Sequence, residues 1–372
     1  MEKLKPVEHK LKDLSFYLLR FLLKKGREDF IPLKPSNIGK ILFLRPDKIG
    51  DMIISLPVFE NLKKQHPHIK LSLLCSPRNY GIVKNDPRFE KIFLYRKNIF
   101  KDITTVLAMR KENYDAVVDM ISNDSITNLF LARFSVKNKP RIGVQKLKYR
   151  DYYDYSYYHR LDDMRHIIRN TLELLEAFGL DSEQADGFAP PYVDDKTRML
   201  AEVFIKVLRT KEPNKLNIGY NLSVGNPTRV WDGEKSRLLV KRILDSEQGN
   251  YRIIVLTAPS DRTRGDELAG HFKKDVVQIP SGLNLTAVSA IISKLDLLIT
   301  PDTSLVHIAR SFKVPVVGLY PKPVKNFLLW HPFEQKEGAV LSGNNDNIFD
   351  ITVEQVFETF TQVVNNHRLV KK

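Results

Sequence analysis

The stretch Ile41-Leu-Phe-Leu-Arg-Pro-Asp-Lys-Ile-Gly-Asp51 starts with four consecutive apolar residues and then turns polar. An unbroken apolar run of this length fits a strand buried on both faces, as in a parallel sheet; a half-exposed strand would alternate. Beyond it, Met52, Leu56, Phe59 and Leu62 recur every three or four residues and predict one side of a helix. Pro57 must either start that helix proper, with Ser55 capping it, or kink it. Strand, polar loop and helix make a βα unit. Further strands read at 69–75, 91–95 and 116–121, with helical segments between some of them. Alternating β and α elements imply a mostly parallel sheet covered on both faces.

Around Gly187-Phe-Ala-Pro-Pro-Tyr192 the periodicity lapses, and a second α/β series follows. Its strands read at 216–220, 251–257, 276–279, 297–300 and 316–320, with helices near 235–245, 266–274 and 285–295. A final helix at 353–365 puts Val356, Phe360 and Val363 on one face. The expected organisation is α/β throughout: a first domain at 37–188, a second at 189–350 joined to it once with a cleft between them, and a C-terminal helix in 351–372. Residues 1–36 stand apart. Leu11, Leu14, Leu18 and Leu22 form one apolar stripe of a helix, with Lys10, Lys12, Arg20, Lys24 and Lys25 nearby. Such an amphipathic basic helix lies either on an anionic membrane surface or across its own first domain.

Of 372 residues, 42% are hydrophobic, enough for two cores and too many for a disordered or mini-protein class. Nothing approaches the roughly 20 apolar residues that a membrane span needs. Charges recur through the first residues, so no signal peptide is expected. A single cysteine, Cys75, can make neither an intramolecular disulfide nor a cysteine-based zinc site, and a reducing cytoplasm is the simplest home. Fifty-nine Lys and Arg against 44 Asp and Glu leave a net charge of +15. That surplus points to an anionic partner, whether nucleic acid, acidic lipid or a phosphorylated small molecule, or else to a merely soluble basic surface.

Three loops carry the chemistry. In open parallel sheets ligands gather beyond the carboxyl ends of the strands, where the loop 45–51 lies. Gly50 is expected to let the backbone turn there, and Asp51 to start a helix pointing outward. Asp51 either takes a proton from a hydroxyl as general base or simply caps its helix. The second loop is in Leu297-Leu-Ile-Thr-Pro-Asp-Thr-Ser-Leu-Val-His307, where a strand stops at Pro301 and a short helix starts. A helix start with the Thr303 and Ser304 hydroxyls suits a diphosphate, and His307 in about the first turn adds a donor; the alternative is an ordinary capped helix. The third is Asn221-Leu-Ser-Val-Gly-Asn-Pro-Thr-Arg-Val-Trp231, where Arg229 can neutralise phosphate and Trp231 can anchor the loop. No Asp-x-Asp occurs, so a carboxylate-held metal has no obvious ligands, and no dinucleotide glycine fingerprint follows the first strand. His159 and His166 with Arg160, Arg165 and Arg169 make a basic face that either meets an anionic acceptor or is simply solvated. The tyrosine-rich stretch 149–158 either stacks on bases or sugars or forms a mobile aromatic loop over the cleft.

Three blocks resemble glycosyltransferase family 9, the lipopolysaccharide heptosyltransferase family. They are the opening 41–57 with its Gly-Asp and later Pro, Arg229-Val-Trp231 in place of a Lys-x-Trp element, and Asp302-Thr-Ser-Leu-Val-His-Ile-Ala309 before Val314-Pro-Val-Val-Gly-Leu-Tyr320. The similarity spans roughly 38–335 at the level of motifs. It implies a GT-B fold of two Rossmann-like domains and inverting, metal-independent transfer without a cofactor. The implied donor is a nucleotide sugar, typically ADP-heptose, and the acceptor the inner core of a lipid A/Kdo-type lipopolysaccharide. By position, the resemblance makes Asp51 the catalytic base and gives Arg229, Asp302, Thr303 and His307 to the donor, with Ser304 replacing the usual Gly. Asp47 and Lys48 stand where many members have serines. Arg45, Lys48 and His166 are read as acceptor-binding candidates. The implied location is the inner face of the cytoplasmic membrane, with no nucleic-acid partner. Rival readings are transfer of another nucleotide sugar, a non-catalytic sugar-nucleotide-binding homologue, and a basic nucleic-acid-binding α/β protein.

Overall fold

The computed structural model describes residues 32–122, 124–157, 165–247, 250–322 and 324–369, with Tyr17, Leu23 and Gly26. The amphipathic helix expected in residues 1–36 falls almost wholly outside the described residues. The chain forms two compact units, and from Gly187 onward all of it belongs to the second, which also includes His166.

In the first unit six strands form one sheet: β1 (Lys40–Arg45), β2 (Lys70–Cys75), β3 (Phe89–Leu94), β4 (Ala116–Asp119), β5 (Arg141–Val144) and β6 (Tyr155–Tyr157). Their order is β3-β2-β1-β4-β5-β6, and all five pairings are parallel. In the second unit, β7 (Leu216–Asn221), β8 (Tyr251–Leu256), β9 (Val276–Gln278), β10 (Leu297–Pro301), β11 (Val316–Tyr320) and β12 (Ala339–Leu341) repeat that plan in the order β12-β11-β10-β7-β8-β9. Again every pairing is parallel. The central strands are buried along nearly their whole length, as their unbroken apolar runs require.

Each sheet reverses its winding once, between β1 and β4 in the first unit and between β7 and β10 in the second. At such a switch point the helices on either side run away from each other and leave a crevice at the carboxyl ends. All three loops singled out in the sequence leave from these ends: 45–51 follows β1, 221–231 follows β7 and 302–307 follows β10.

The helix after β1 corrects two expectations. It runs from Ile49 to Gln65 straight through Pro57, with Lys48 at its N-cap. Ser55 caps nothing; its Oγ donates to the Asp51 carbonyl at 2.7 Å, one turn back. The Asn61 amide donates to the Pro57 carbonyl at 2.8 Å and to Asp186 O at 2.9 Å, pinning the helix where the proline removes a ladder bond. Gly50 is already helical and lacks a positive φ, so the chain turns before it, at 46–48. The C-terminal helix Val353–Asn366 starts with a Thr352/Gln355 capping box and buries Val356, Phe360, Val363 and Val364 in the second unit's core. No helix among the described residues is long and apolar enough to cross a membrane.

Candidate active site

In the first unit the site is built on Arg45, the last residue of β1. Its guanidinium is 4% exposed and crosses the switch point. One nitrogen donates to the Met120 carbonyl just after β4, and Nε donates to Asp51 O at 3.1 Å. The same group pairs with the Asp47 carboxylate at 3.2 Å and the Asp51 carboxylate at 3.6 Å. Asp51 sits in the first helical turn, where the helix dipole favours its charge, and its side chain keeps 21% exposure. It is therefore held in place yet reachable. Burial pushes the Asp47 carboxyl up to about 6, against the pull of Arg45 and with a further push from Asp51. Asn79 Nδ2 donates to Arg45 O at 2.8 Å and Ser76 Oγ to Asp47 O at 3.3 Å, fixing the loop from the β2 side.

Next to it, at the carboxyl end of β4, lies a polar cluster that sequence reading missed. Asp119 is fully buried and Lys146 is 1% exposed. Lys146 Nζ lies 2.8 Å from Asp119 Oδ2 and donates to Ile121 O at 2.7 Å. The Tyr153 hydroxyl donates to the same carboxylate at 2.7 Å and Asn128 Nδ2 at 3.0 Å. Burial and the Asp119 charge hold the Tyr153 phenol well above its ordinary range. These contacts brace the segment that follows β4 and supports Arg45.

In the second unit the two loops expected to bind a diphosphate meet. Asn221, at the end of β7, donates through Nδ2 to Thr300 Oγ1 at 2.9 Å, Thr303 Oγ1 at 3.4 Å and Ser223 O at 3.0 Å. Thr303 caps the helix Ser304–Ser311 by accepting from Leu305 N–H. Arg229 Nε lies 3.6 Å from Asp302 Oδ2, and its other arm donates to Thr228 Oγ1 and Asp346 O at 3.0 and 2.9 Å. A guanidinium thus stands beside the start of a helix that carries a Thr and a Ser, a combination suited to an anion. His307 is buried in the fourth position of the helix, its ring 5.6 Å from that of Trp330. Trp231 is a packing anchor: it is 4% exposed and donates to Ile351 O at 3.0 Å. Beyond β8 and β9 lies an open concavity of about 100 Å³ lined by Thr257, Pro259, Arg262, Ile279, Gly282 and Val288 among others. Gly282 has φ +75° there, a conformation that only glycine adopts without strain.

Residues 105–358 match the family described as glycosyltransferase family 9 (heptosyltransferase). The chain belongs to glycosyltransferase family 9. Lipopolysaccharide heptosyltransferase 3 of Escherichia coli (strain K12) is 24% identical over 316 residues, covering 79% of this chain and 86% of that protein. Lipopolysaccharide heptosyltransferase 1 of Campylobacter coli is 22% identical over 351 residues, with 89% and 93% covered. Among solved structures, a family 9 glycosyl transferase from Veillonella parvula DSM 2008 superposes with a TM-score of 0.73 at 17% identity, covering 91% of this chain and all of that one. The E. coli heptosyltransferase WaaC with ADP gives 0.68 at 17% identity, with 89% and 100% covered. These likenesses identify the two Rossmann-like units as the GT-B fold. The protein is a glycosyltransferase.

The remaining candidates of this glycosyltransferase are placed as follows. Lys48 is exposed at the N-cap beside Asp51. His166 is 7% exposed, and its placement corrects the acceptor-binding expectation. Its Nδ1 accepts from Ile168 N–H at 3.1 Å and its Nε2 meets His331 O at 2.9 Å, while the ring packs against His331 and Phe333. Both nitrogens are committed to structure. Arg45 is likewise spent on its own loop and holds Asp51 in place. The tyrosine stretch is also largely structural, because Tyr149 and Tyr153 are core residues and Tyr155–Tyr157 is β6. Cys75 is buried, which pushes its thiol up to about 12 and makes it a small packing residue. Among the described residues no group of three His, Cys, Asp or Glu is placed to hold a metal ion.

Proposed function

We propose that this glycosyltransferase transfers a heptose from ADP-heptose to the inner core of lipopolysaccharide with inversion, working on the inner face of the cytoplasmic membrane. The reading rests chiefly on the convergence of Arg229 and the Asp302–Thr303–Ser304 helix start at one switch point. The names of the relatives supply the sugar and the acceptor class. Asp51 acts as general base: it accepts the proton of the acceptor hydroxyl as that oxygen attacks the anomeric carbon. On the opposite face the bond to the diphosphate breaks. The guanidinium of Arg229 and the helix start take up the charge of the departing ADP, a stabilisation that grows as the bond lengthens. Asp302 keeps Arg229 aimed, and the Asn221–Thr300–Thr303 bonds fix the cap. The concavity beyond β8 and β9 is assigned to the nucleoside, whose base would lie against Ile279 and Val288.

Inversion requires base and leaving group on opposite sides of one carbon, so the reaction needs Asp51 of the first unit and the cradle of the second to engage a single donor–acceptor pair. The decisive experiment incubates the enzyme with a panel of nucleotide sugars and truncated lipopolysaccharide acceptors and weighs the products. A heptose increment from ADP-heptose is the expected result. An increment from a different sugar reassigns the donor, and no increment from any of them refutes transfer. Activity that persists in EDTA is expected from a cradle in which the protein's own cations neutralise the diphosphate.

A further inference from the structure

The helix Ile99–Lys111 of the first unit exposes what such a helix ordinarily buries. Ile99, Phe100, Ile103 and Leu107 are 70, 80, 52 and 54% exposed. At 100° per residue these four positions share one face, with Met109 buried on the other. The rim of that face is basic. Arg96 and Lys97 precede the helix, and Arg110 and Lys111 end it on the same side as the apolar stripe. The helix's one acid, Asp102, is turned to the backbone, accepting from the N–H groups of Arg96 and Asn98 at 2.8 Å each. The helix Asp195–Lys211 of the second unit leaves Met199, Leu200, Val203 and Val207 exposed in the same spacing. Its one aromatic ring, Phe204, is half-buried at the edge of that stripe, and two acids on the helix, Asp195 and Glu202, are exposed.

We propose that the exposed face of Ile99–Lys111 docks on an anionic lipid surface. An apolar stripe with a bulky aromatic residue suits the acyl boundary of a bilayer, and the four flanking cations, Arg96, Lys97, Arg110 and Lys111, suit acidic headgroups. The charge arrangement selects this occupant over a second protein: Arg110 and Lys111 share the exposed face, and the helix's one acid, Asp102, is drawn in against the backbone at 96–98. The +15 net charge adds long-range attraction of the same sign. This deepens the function proposed above, since a lipid-borne acceptor is met at a bilayer surface.

The test is sedimentation of the full chain with phosphatidylglycerol/phosphatidylethanolamine vesicles and with neutral phosphatidylcholine vesicles. The wild type should bind the anionic vesicles and leave the neutral ones. The triple variant Phe100→Ser, Ile103→Ser, Leu107→Ser should bind about tenfold more weakly or worse. Lys97→Glu with Lys111→Glu should also weaken binding, and added salt should reproduce its effect. Turnover of a water-soluble acceptor fragment should stay unchanged in both variants, since the stripe serves docking alone. Equal binding to both vesicle types, or unaltered binding by the triple variant, overturns the proposal. So does a triple variant whose only change is loss of self-association in light scattering, which assigns the face to a second copy. Vesicle binding that follows the stripe in a protein that transfers no sugar leaves the docking standing and removes the proposed function.

Discussion

Lys146→Met should be the most damaging single substitution in the first unit outside its apolar core. The Lys146 ammonium is 1% exposed and the Asp119 carboxylate it meets at 2.8 Å is fully buried. Methionine fills similar space but leaves that carboxylate with only neutral donors, the Tyr153 hydroxyl, the Asn128 amide and the Ile121 N–H. Breaking a buried pair from one side costs about 3–5 kcal/mol, a large share of the roughly 5–15 kcal/mol that stabilises a domain. With a urea m-value of about 2 kcal/mol/M, the unfolding midpoint of the first unit should fall by roughly 2 M. Both tryptophans, Trp231 and Trp330, lie in the second unit, so their fluorescence provides an internal reference. Far-UV circular dichroism reports both units. Lys146→Met with Asp119→Asn should recover at least half of the loss, because the unpaired charge is gone. A midpoint shift below about 0.5 M would refute the reasoning, since no buried charge would then depend on Lys146.

Asp51→Asn should lower kcat by about two orders of magnitude or more while nucleotide affinity measured by calorimetry stays near wild type; near-normal transfer would remove the base role. Arg229→Ala should weaken ADP binding roughly tenfold or more and free Asp302 from its partner, and unchanged affinity would exclude Arg229 from the cradle. Asp47→Asn should alter stability with a definite sign. The Asp47 carboxyl titrates near pH 6 in the folded chain against an ordinary 3.8, so the folded state holds the proton more tightly and wild-type stability falls as pH rises from about 4 to about 6. The amide removes that fall and should raise stability at neutral pH by at most about 3 kcal/mol, read as urea midpoints across pH; an unchanged profile would contradict it.

The long apolar strands were the legible part of the fold. β1, β2, β7, β8, β10 and β11 are buried runs of five or six residues, and a parallel sheet writes itself into sequence in that form. β5, β6 and β12 escaped for physical reasons. β5 reads Arg-Ile-Gly-Val, β6 is three residues of Tyr-Ser-Tyr, and β12 is Ala-Val-Leu, so none carries a run long enough to register. The helix Asp195–Lys211 was obscured by its own exposed apolar residues. At the site, Arg229 and Asp302 each stood out in a loop after a buried strand, but their ion pair had no signal because it depends on β7 and β10 being neighbours. Asn221, which bonds Thr300 and Thr303 beside them, had only a weak signal, a polar residue closing a buried strand. Lys146 had none, since its role depends on β4 and β5 being neighbours. His166 misled because a histidine among arginines looks like a surface, whereas its ring nitrogens had backbone partners at Ile168 and His331.

Arg45 ties together two places far apart in sequence, the start of the Ile49–Gln65 helix and the chain just past β4. Because the tether leaves from β1 itself, the short segment between the strand and that helix is a bridge with both banks secured. The Lys48 side chain on that bridge faces water with no structural duty in the cap. Substitution at this position should therefore change what the loop presents to solvent without unseating the Asp51 carboxylate that Arg45 holds. The surface that the loop offers and the position of its carboxylate are in this way separable, open to change one at a time.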